Sequence, residues 1–166
     1  MKTATVTGTQ TRELQTLWWD WLSTSERLLR SLHEQTAALT LRDVARVERI
    51  QPELDTMLAR LREIDDSAAA CSVRLAEELG TEPNVRSLVC ALEKAEGQQL
   101  QSIANRVMVA ARNVQHVLDK NKKLIENEMT YINGTLTLIA KVAHDQPGPY
   151  RARQTTHAAV LVDQAA

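Results

Sequence analysis

From Ile103 to Val142 apolar residues recur every seven positions on two adjacent lines. One line is Ile103, Ala110, Val117, Leu124, Tyr131 and Leu138, and the other is Ala104, Ala111, Leu118, Ile125, Ile132 and Ile139. A period of seven keeps each line on one side of an α-helix, and two adjacent lines make a face. A third line starts apolar at Leu100, Val107 and Val114, turns polar at Asn121, Glu128 and Thr135, and closes at Val142. A strict two-position seam would suit a simple coiled-coil dimer, whereas a face this wide needs two neighbouring helices to cover it. The pattern therefore predicts a long helix in a bundle, with a stripe that is broad at first and narrower later.

The rest of the chain supplies the neighbours. Helical spacing from about Thr11 to Thr36 places Leu14, Trp18, Trp21, Leu28 and Leu32 on one face, flanked by Leu17, Leu22 and Leu29, and leaves residues 1–10 as a flexible N-terminus. Trp19 falls opposite that stripe, beside Arg12, Gln15, Ser23, Glu26 and Arg30, and is expected to be partly exposed. A second helix begins near Leu41, carries Val44, Val47 and Ile50, and meets Pro52. Proline lacks the backbone donor and clashes with the preceding turn, so a kink or break is predicted there. The pattern resumes through Leu54, Met57, Leu61, Ile64, Cys71 and Leu75, and stops after Leu79 at Gly80, a natural helix-ending residue.

The turn from Gly80 to Asn84 restarts the chain, with Thr81 as candidate N-cap and Pro83 near the first helical turn. A third helix to about Ala143 would span about 85 Å at ~1.5 Å per residue. Tyr131-Ile132-Asn133-Gly134-Thr135-Leu136 also has the form of a hairpin with an Asn-Gly turn. The heptad lines cross it without a phase shift, and one glycine inside a helix costs only about 1 kcal/mol relative to alanine. Helix is the reading adopted.

The expected fold is all-α: an elongated antiparallel bundle of three long helices over residues 11–143, with the second kinked near Pro52. His144-Asp145-Gln146-Pro147-Gly148-Pro149 ends the last helix, and residues 144–166 are expected to form a mobile tail. Its apolar patch, Val160-Leu161-Val162, is too small to offset its ordering entropy unless a partner covers it.

Composition fits that picture and removes several functions. A chain of 166 residues suits one domain, and phenylalanine is absent, so the core must be built from Leu, Ile, Val and Ala. Net charge is -1 with both signs interspersed, which provides no basic field for nucleic acid. The N-terminal MKTATVTGTQ has no apolar core of signal-peptide length and no stretch reaches a membrane span, so a cytoplasmic location is expected. For the same reason the sequon Asn133-Gly134-Thr135 is read as coincidental.

Cys71 and Cys90 stand apart and are read as buried thiols. The histidines His33, His116, His144 and His157 lack ligand spacing, so no metal is expected. There is no phosphate loop and no nucleophile elbow, and Asp65-Asp66 and Glu77-Glu78 read as solvated helix charges, so neither an enzyme nor a cofactor is expected. Asn121 and Glu128 have two readings. A polar residue on that line can fix helix register at a cost in stability, or the stripe drifts and leaves both at the bundle edge, the reading preferred here. Lys120, Lys122 and Lys123 read as a solvated face.

The stretch Asn121-Lys122-Lys123-Leu124-Ile125-Glu126-Asn127-Glu128-Met129-Thr130-Tyr131-Ile132-Asn133-Gly134-Thr135-Leu136 resembles the C-terminal helix signature of FlgN-like flagellar export chaperones. The order of helices, Leu79-Gly80, long last helix and tail with Tyr150 is similar too. The resemblance implies a cytoplasmic chaperone, independent of ATP, for the hook-filament junction proteins FlgK and FlgL. Such a chaperone prevents premature association of its clients' terminal helices and escorts them to the type III export gate. It implies a client-binding region near Asn121 to Ala143 and Val160 to Val162, with Leu118, Ile125, Ile132, Ile139, Val160, Leu161 and Val162 as candidates. It further implies that Tyr150 docks the export-gate protein FlhA, although Gln154 stands where the family's Tyr-x-x-x-Gly pattern has glycine. An apolar helix face is suited to taking an amphipathic client helix.

Two other classes fit parts of the pattern. A structural coiled-coil scaffold without clients predicts a stable oligomer through the long helix. A ligand-binding bundle predicts a buried polar cluster or an aromatic pocket.

Overall fold

The structure, a computed structural model, describes residues 2–145, with side chains from Gly8 to His144. It is all-helical, and the described residues contain no strand. The helices are α1 (Lys2–Thr40), α2 (Val44–Leu79), α3 (Val85–Ala91) and α4 (Lys94–Asp145), so there are four rather than three. The chain divides into two compact units after Ile125. In the first, α1, α2 and α3 pack with the part of α4 that precedes the division.

The core of that unit is the face expected from the spacing. Trp21, Leu28 and Leu32 of α1 meet Ile50, Leu54, Leu61 and Ile64 of α2 and Ile103, Val114 and Val117 of α4. A second cluster joins Leu14, Ala68, Cys71 and Leu75 to Leu88 of α3 and Leu100 of α4. Burying a side chain such as Leu or Ile contributes about 1.5–3 kcal/mol, so these rows hold the helices together. Trp19 lies outside both clusters and is exposed, as its position opposite the stripe requires.

Several boundaries differ from expectation. Helix α1 begins at Lys2 rather than near Thr11, so the flexible N-terminus expected for residues 1–10 is helical from Lys2. Thr11 is buried, and a Cβ added at Gly8 would come within 3.9 Å of Glu96 Oε1 on α4, so this early turn has tertiary contacts that local propensity does not report.

Helix α2 starts at Val44, capped by Asp43, whose side chain accepts from the Arg46 amide at 3.0 Å. It is not broken at Pro52, which lies inside the helix and is exposed. On the solvent side the carbonyl that loses its partner can be hydrated, while Ile50 and Leu54 keep the opposite side in the core.

Two helix ends use the same left-handed device. After α2, Gly80 has φ 63, its N–H reaches Glu77 O at 3.3 Å, and Thr81 N–H reaches Ala76 O at 2.9 Å. After α1, Arg42 takes φ 57, with its N–H on Leu39 O at 3.1 Å and Asp43 N–H on Ala38 O at 2.9 Å. A side chain in this region is strained, and the paired hydrogen bonds offset that cost.

The expected third helix is interrupted. Asn84, not Thr81, is the N-cap of α3 and accepts from the Ser87 amide at 2.8 Å. Leu92 then turns extended, and α4 starts afresh at Lys94. Gly97 permits the new angle: a Cβ there would lie 2.7 Å from the Val89 carbonyl oxygen, closer than real contacts allow. Helix α3 therefore lies against the first turns of α4 rather than continuing into it. Further along, α4 runs unbroken through Asn133-Gly134, so the hairpin alternative does not occur.

Candidate functional site

The site is built on α4, and Asn121 marks where its core face ends. Asn121 is only 3% exposed. Its Nδ2 donates to Leu32 O at 3.0 Å and to Gln35 Oε1 at 2.9 Å, and its Oδ1 accepts from the Thr36 hydroxyl at 2.6 Å. Gln35 Nε2 donates onward to Gln51 Oε1 at 3.2 Å, which links α4 through α1 to α2. Asn121 is thus buried and hydrogen-bonded to α1 rather than left at the bundle edge, a correction to the drift reading. Glu128, one heptad on, is half-buried.

Past Asn121 Leu124 is half-buried, and beyond it the apolar lines are exposed among the described residues. Ile125, Ile132 and Ile139 are 42%, 47% and 59% exposed, whereas Ala104 upstream on their line is buried and Ala111 and Leu118 are half-buried. Met129, Tyr131, Leu136, Leu138 and Val142 are exposed as well. The chain thus presents a row of large apolar side chains to solvent, of the kind that marks interaction surfaces.

The candidate residues separate accordingly. Leu118 is partly buried against the bundle core and belongs to it. Ile125, Ile132 and Ile139 share one exposed side of α4. Tyr150, Val160, Leu161 and Val162 lie outside the described residues. Met129 and Leu136 were not among the candidates, yet they fall beside Ile132 at helical spacing and are exposed. Their signal was the four- and three-residue steps linking them to Ile125, Ile132 and Ile139.

Other features have no reacting constellation around them. Arg106 lies over the exposed ring of Trp19, 4.5 Å from its centroid, a cation–π contact across α1 and α4. A shallow groove of about 430 Å³ runs beside it, lined by Leu22, Glu26, Leu29, Val109 and Asn113 among others. Cys71 is buried, and burial pushes its thiol up from the ordinary value, with Glu13 adding to the rise and Arg74 opposing it. Cys90 is exposed, contrary to the expectation that both thiols are buried. The residue lies on the outer side of α3, a helix too short to fix its buried side from periodicity alone. Among the described residues no group of three or more His, Cys, Asp or Glu is placed to hold a metal ion. No helix among them is long and apolar enough to cross a membrane.

The described residues form an all-helical core and, past Asn121, an apolar helix face that is largely exposed. Over residues 1–158 the chain matches the family described as FlgN protein, and it belongs to that family of flagellar export chaperones. No curated protein and no solved structure matches it.

Proposed function

We propose that this chain is a cytoplasmic type III export chaperone for the hook-filament junction proteins FlgK and FlgL, and that α4 beyond Asn121 is where it holds them. The observation that carries the reading is the exposed line Ile125, Ile132 and Ile139 on a helix that upstream buries Leu100, Ile103, Ala104, Val114 and Val117 in the bundle. Client segments that associate through amphipathic helices carry apolar faces of their own, and laying such a face on α4 removes both surfaces from water. Export then needs only release at the gate, with no covalent step. The tail patch Val160-Leu161-Val162 extends the client surface in this proposal, and Tyr150 docks FlhA.

Mixing the chain with a C-terminal fragment of FlgK tests the reading. A 1:1 complex is expected, lost in Ile132→Asp while the variant keeps its helical circular dichroism. Unchanged binding in that variant would remove the face from the mechanism. The scaffold alternative places the same face between copies of the chain, and it predicts a stable oligomer in the solution mass of the free protein.

A further inference from the structure

We infer that the seam between α1 and α4 is a docking surface separate from the client face proposed above, and that it takes an amphipathic helix of another protein whose apolar stripe is flanked by carboxylates. The two helices run in the same direction and in step. Arg106 stacks over Trp19 near one end of the seam, and Asn121 Nδ2 donates to Leu32 O near the other. Between those points lie two adjoining grooves of about 430 and 300 Å³, which share Arg106. From Gln15 to His33 the seam is about 27 Å long at ~1.5 Å per residue, or about five helical turns.

Floor and rims differ in chemistry. Leu22, Leu29 and Ala110 make the floor, the first buried and the other two half-buried. Trp19 and Val109 stand on the rims, 45% and 56% exposed. On α4 the rim row Ser102, Arg106, Val109, Asn113, His116 and Lys120 advances by alternating steps of four and three residues, and every member is exposed. Two helical walls with an apolar floor form the groove into which a third helix packs its own ridge of side chains. The exposed indole of Trp19 adds a rigid surface of the kind that anchors protein contacts.

The sign of the partner follows from the rims. Arg106 and Lys120 belong to the α4 row, while Arg12, one heptad before Trp19, and Arg30, four residues after Glu26, extend the α1 rim, and all four are exposed. Among the described residues that line the two grooves, Glu26 is the one acid. The neighbouring acids Asp20 and Asp119 stand about 100° further round their helices, away from the seam, and Asp119 accepts from Gln115 Nε2 at 2.8 Å. The cationic seam occurs in a chain whose formal net charge is -1, so the excess is local.

The chain itself does not supply a matching occupant. Its tail carries Arg151 and Arg153 against Asp163, the same sign as the rims. In a second copy, α2 is rich in acids, but its apolar residues Ile50, Leu54, Leu61 and Ile64 are turned into its own core. A helix of another protein can bring both the apolar stripe and the carboxylates. Burial of the stripe then supplies affinity, and the rim charges supply rate and selectivity.

Two synthetic peptides without tryptophan, each of about 18 residues to match the seam, test this with the full chain. Both carry leucines at alternating steps of three and four residues, flanked by glutamates in one and by lysines in the other. Calorimetry measures binding, and the indole N–H resonance of Trp19, assigned from Trp19→Phe, reports where the peptide sits. The glutamate peptide is expected to bind at least about tenfold more tightly than the lysine peptide and to shift the Trp19 resonance. Val109→Asp should weaken it at least about tenfold, and Arg106→Glu should bring the two peptides within about threefold of each other. Both positions are exposed, so circular dichroism should remain that of the parent. Ile132→Asp should leave binding unchanged.

Equal binding of the two peptides to the parent chain overturns the inference by removing the charge selection. Absence of binding by the glutamate peptide, or an unmoved Trp19 resonance at saturation, overturns it as well. A loss in Ile132→Asp with none in Val109→Asp overturns it by placing the peptide on α4 past Asn121. A dimer of the free chain that Val109→Asp dissociates overturns it by assigning the seam to a second copy. A shift of the Trp19 resonance in the free chain when Val160, Leu161 and Val162 are all changed to Ser overturns it by assigning the seam to the chain's own tail.

Discussion

Residues 100–121 and 126–143 of α4 carry the same heptad lines on one continuous helix, yet the first stretch is core and the second is surface. Leu100, Val114 and Val117 are buried among α1, α2 and α3, while Ile132, Leu138 and Ile139 face solvent. The repeat is thus a property of the helix alone, and whether it becomes core depends on which other segment reaches it. Buried packing is concentrated in the upstream half, and the downstream half holds apolar surface that is exposed among the described residues.

Truncating one residue in each half gives the largest contrast. Leu100→Ala should cost roughly 2–5 kcal/mol, seen as a lowered midpoint in thermal or urea unfolding, because it opens a cavity in a close-packed site. Ile139→Ala should stay within about 0.5 kcal/mol of the parent, since it removes a side chain that water already reaches. Equal losses would mean that the downstream face is covered in the free protein.

Asn121, at the junction of the two stretches, should give the next largest effect. Asn121→Ala removes an amide joined to Leu32, Gln35 and Thr36 and takes from the buried Gln35 Oε1 its donor, while Thr36 and Leu32 keep their bond to each other. A loss of about 1–3 kcal/mol is expected in the same unfolding measurement. A neutral result would show that water replaces the side chain and that the residue does not fix register.

The glycines of α4 sharpen the comparison with opposite signs. Gly134→Ala, where an added Cβ meets nothing within 4 Å, should raise stability or helicity by up to about 1 kcal/mol. Gly97→Ala must push the Val89 carbonyl away from 2.7 Å and should be destabilising despite the better helix propensity of alanine. Stabilisation by both would mean that α3 is not held against α4.

These contrasts explain what the sequence made legible. Periodicity identified the helices, the core face of α1 from Leu14 to Leu32, the stop at Gly80 and the exposure of Trp19, because each follows from spacing or from one residue's backbone preference. It missed the break at Leu92, an apolar residue that fits a continuing stripe, since the cause is the approach of Val89 to Gly97 across space. The early start of α1 was not legible either, because threonines and Gly8 are poor helix formers. The candidate site was legible as a line of residues. Its boundary was not, because Leu118 and Ile125 occupy equivalent heptad positions and differ only in what covers them. Asn121 showed as polar, but its partners on α1 lie more than eighty residues away in sequence.

All three tryptophans of the chain, Trp18, Trp19 and Trp21, lie on α1 and none lies between Glu126 and Asp145. Indole fluorescence is therefore a built-in reporter of the bundle that is silent about the outer half of α4. A client without tryptophan that seats on residues 128–143 leaves this emission unchanged unless its arrival is transmitted into the core. A shift in that emission on client addition would accordingly record a response of the bundle itself, separable from the act of binding.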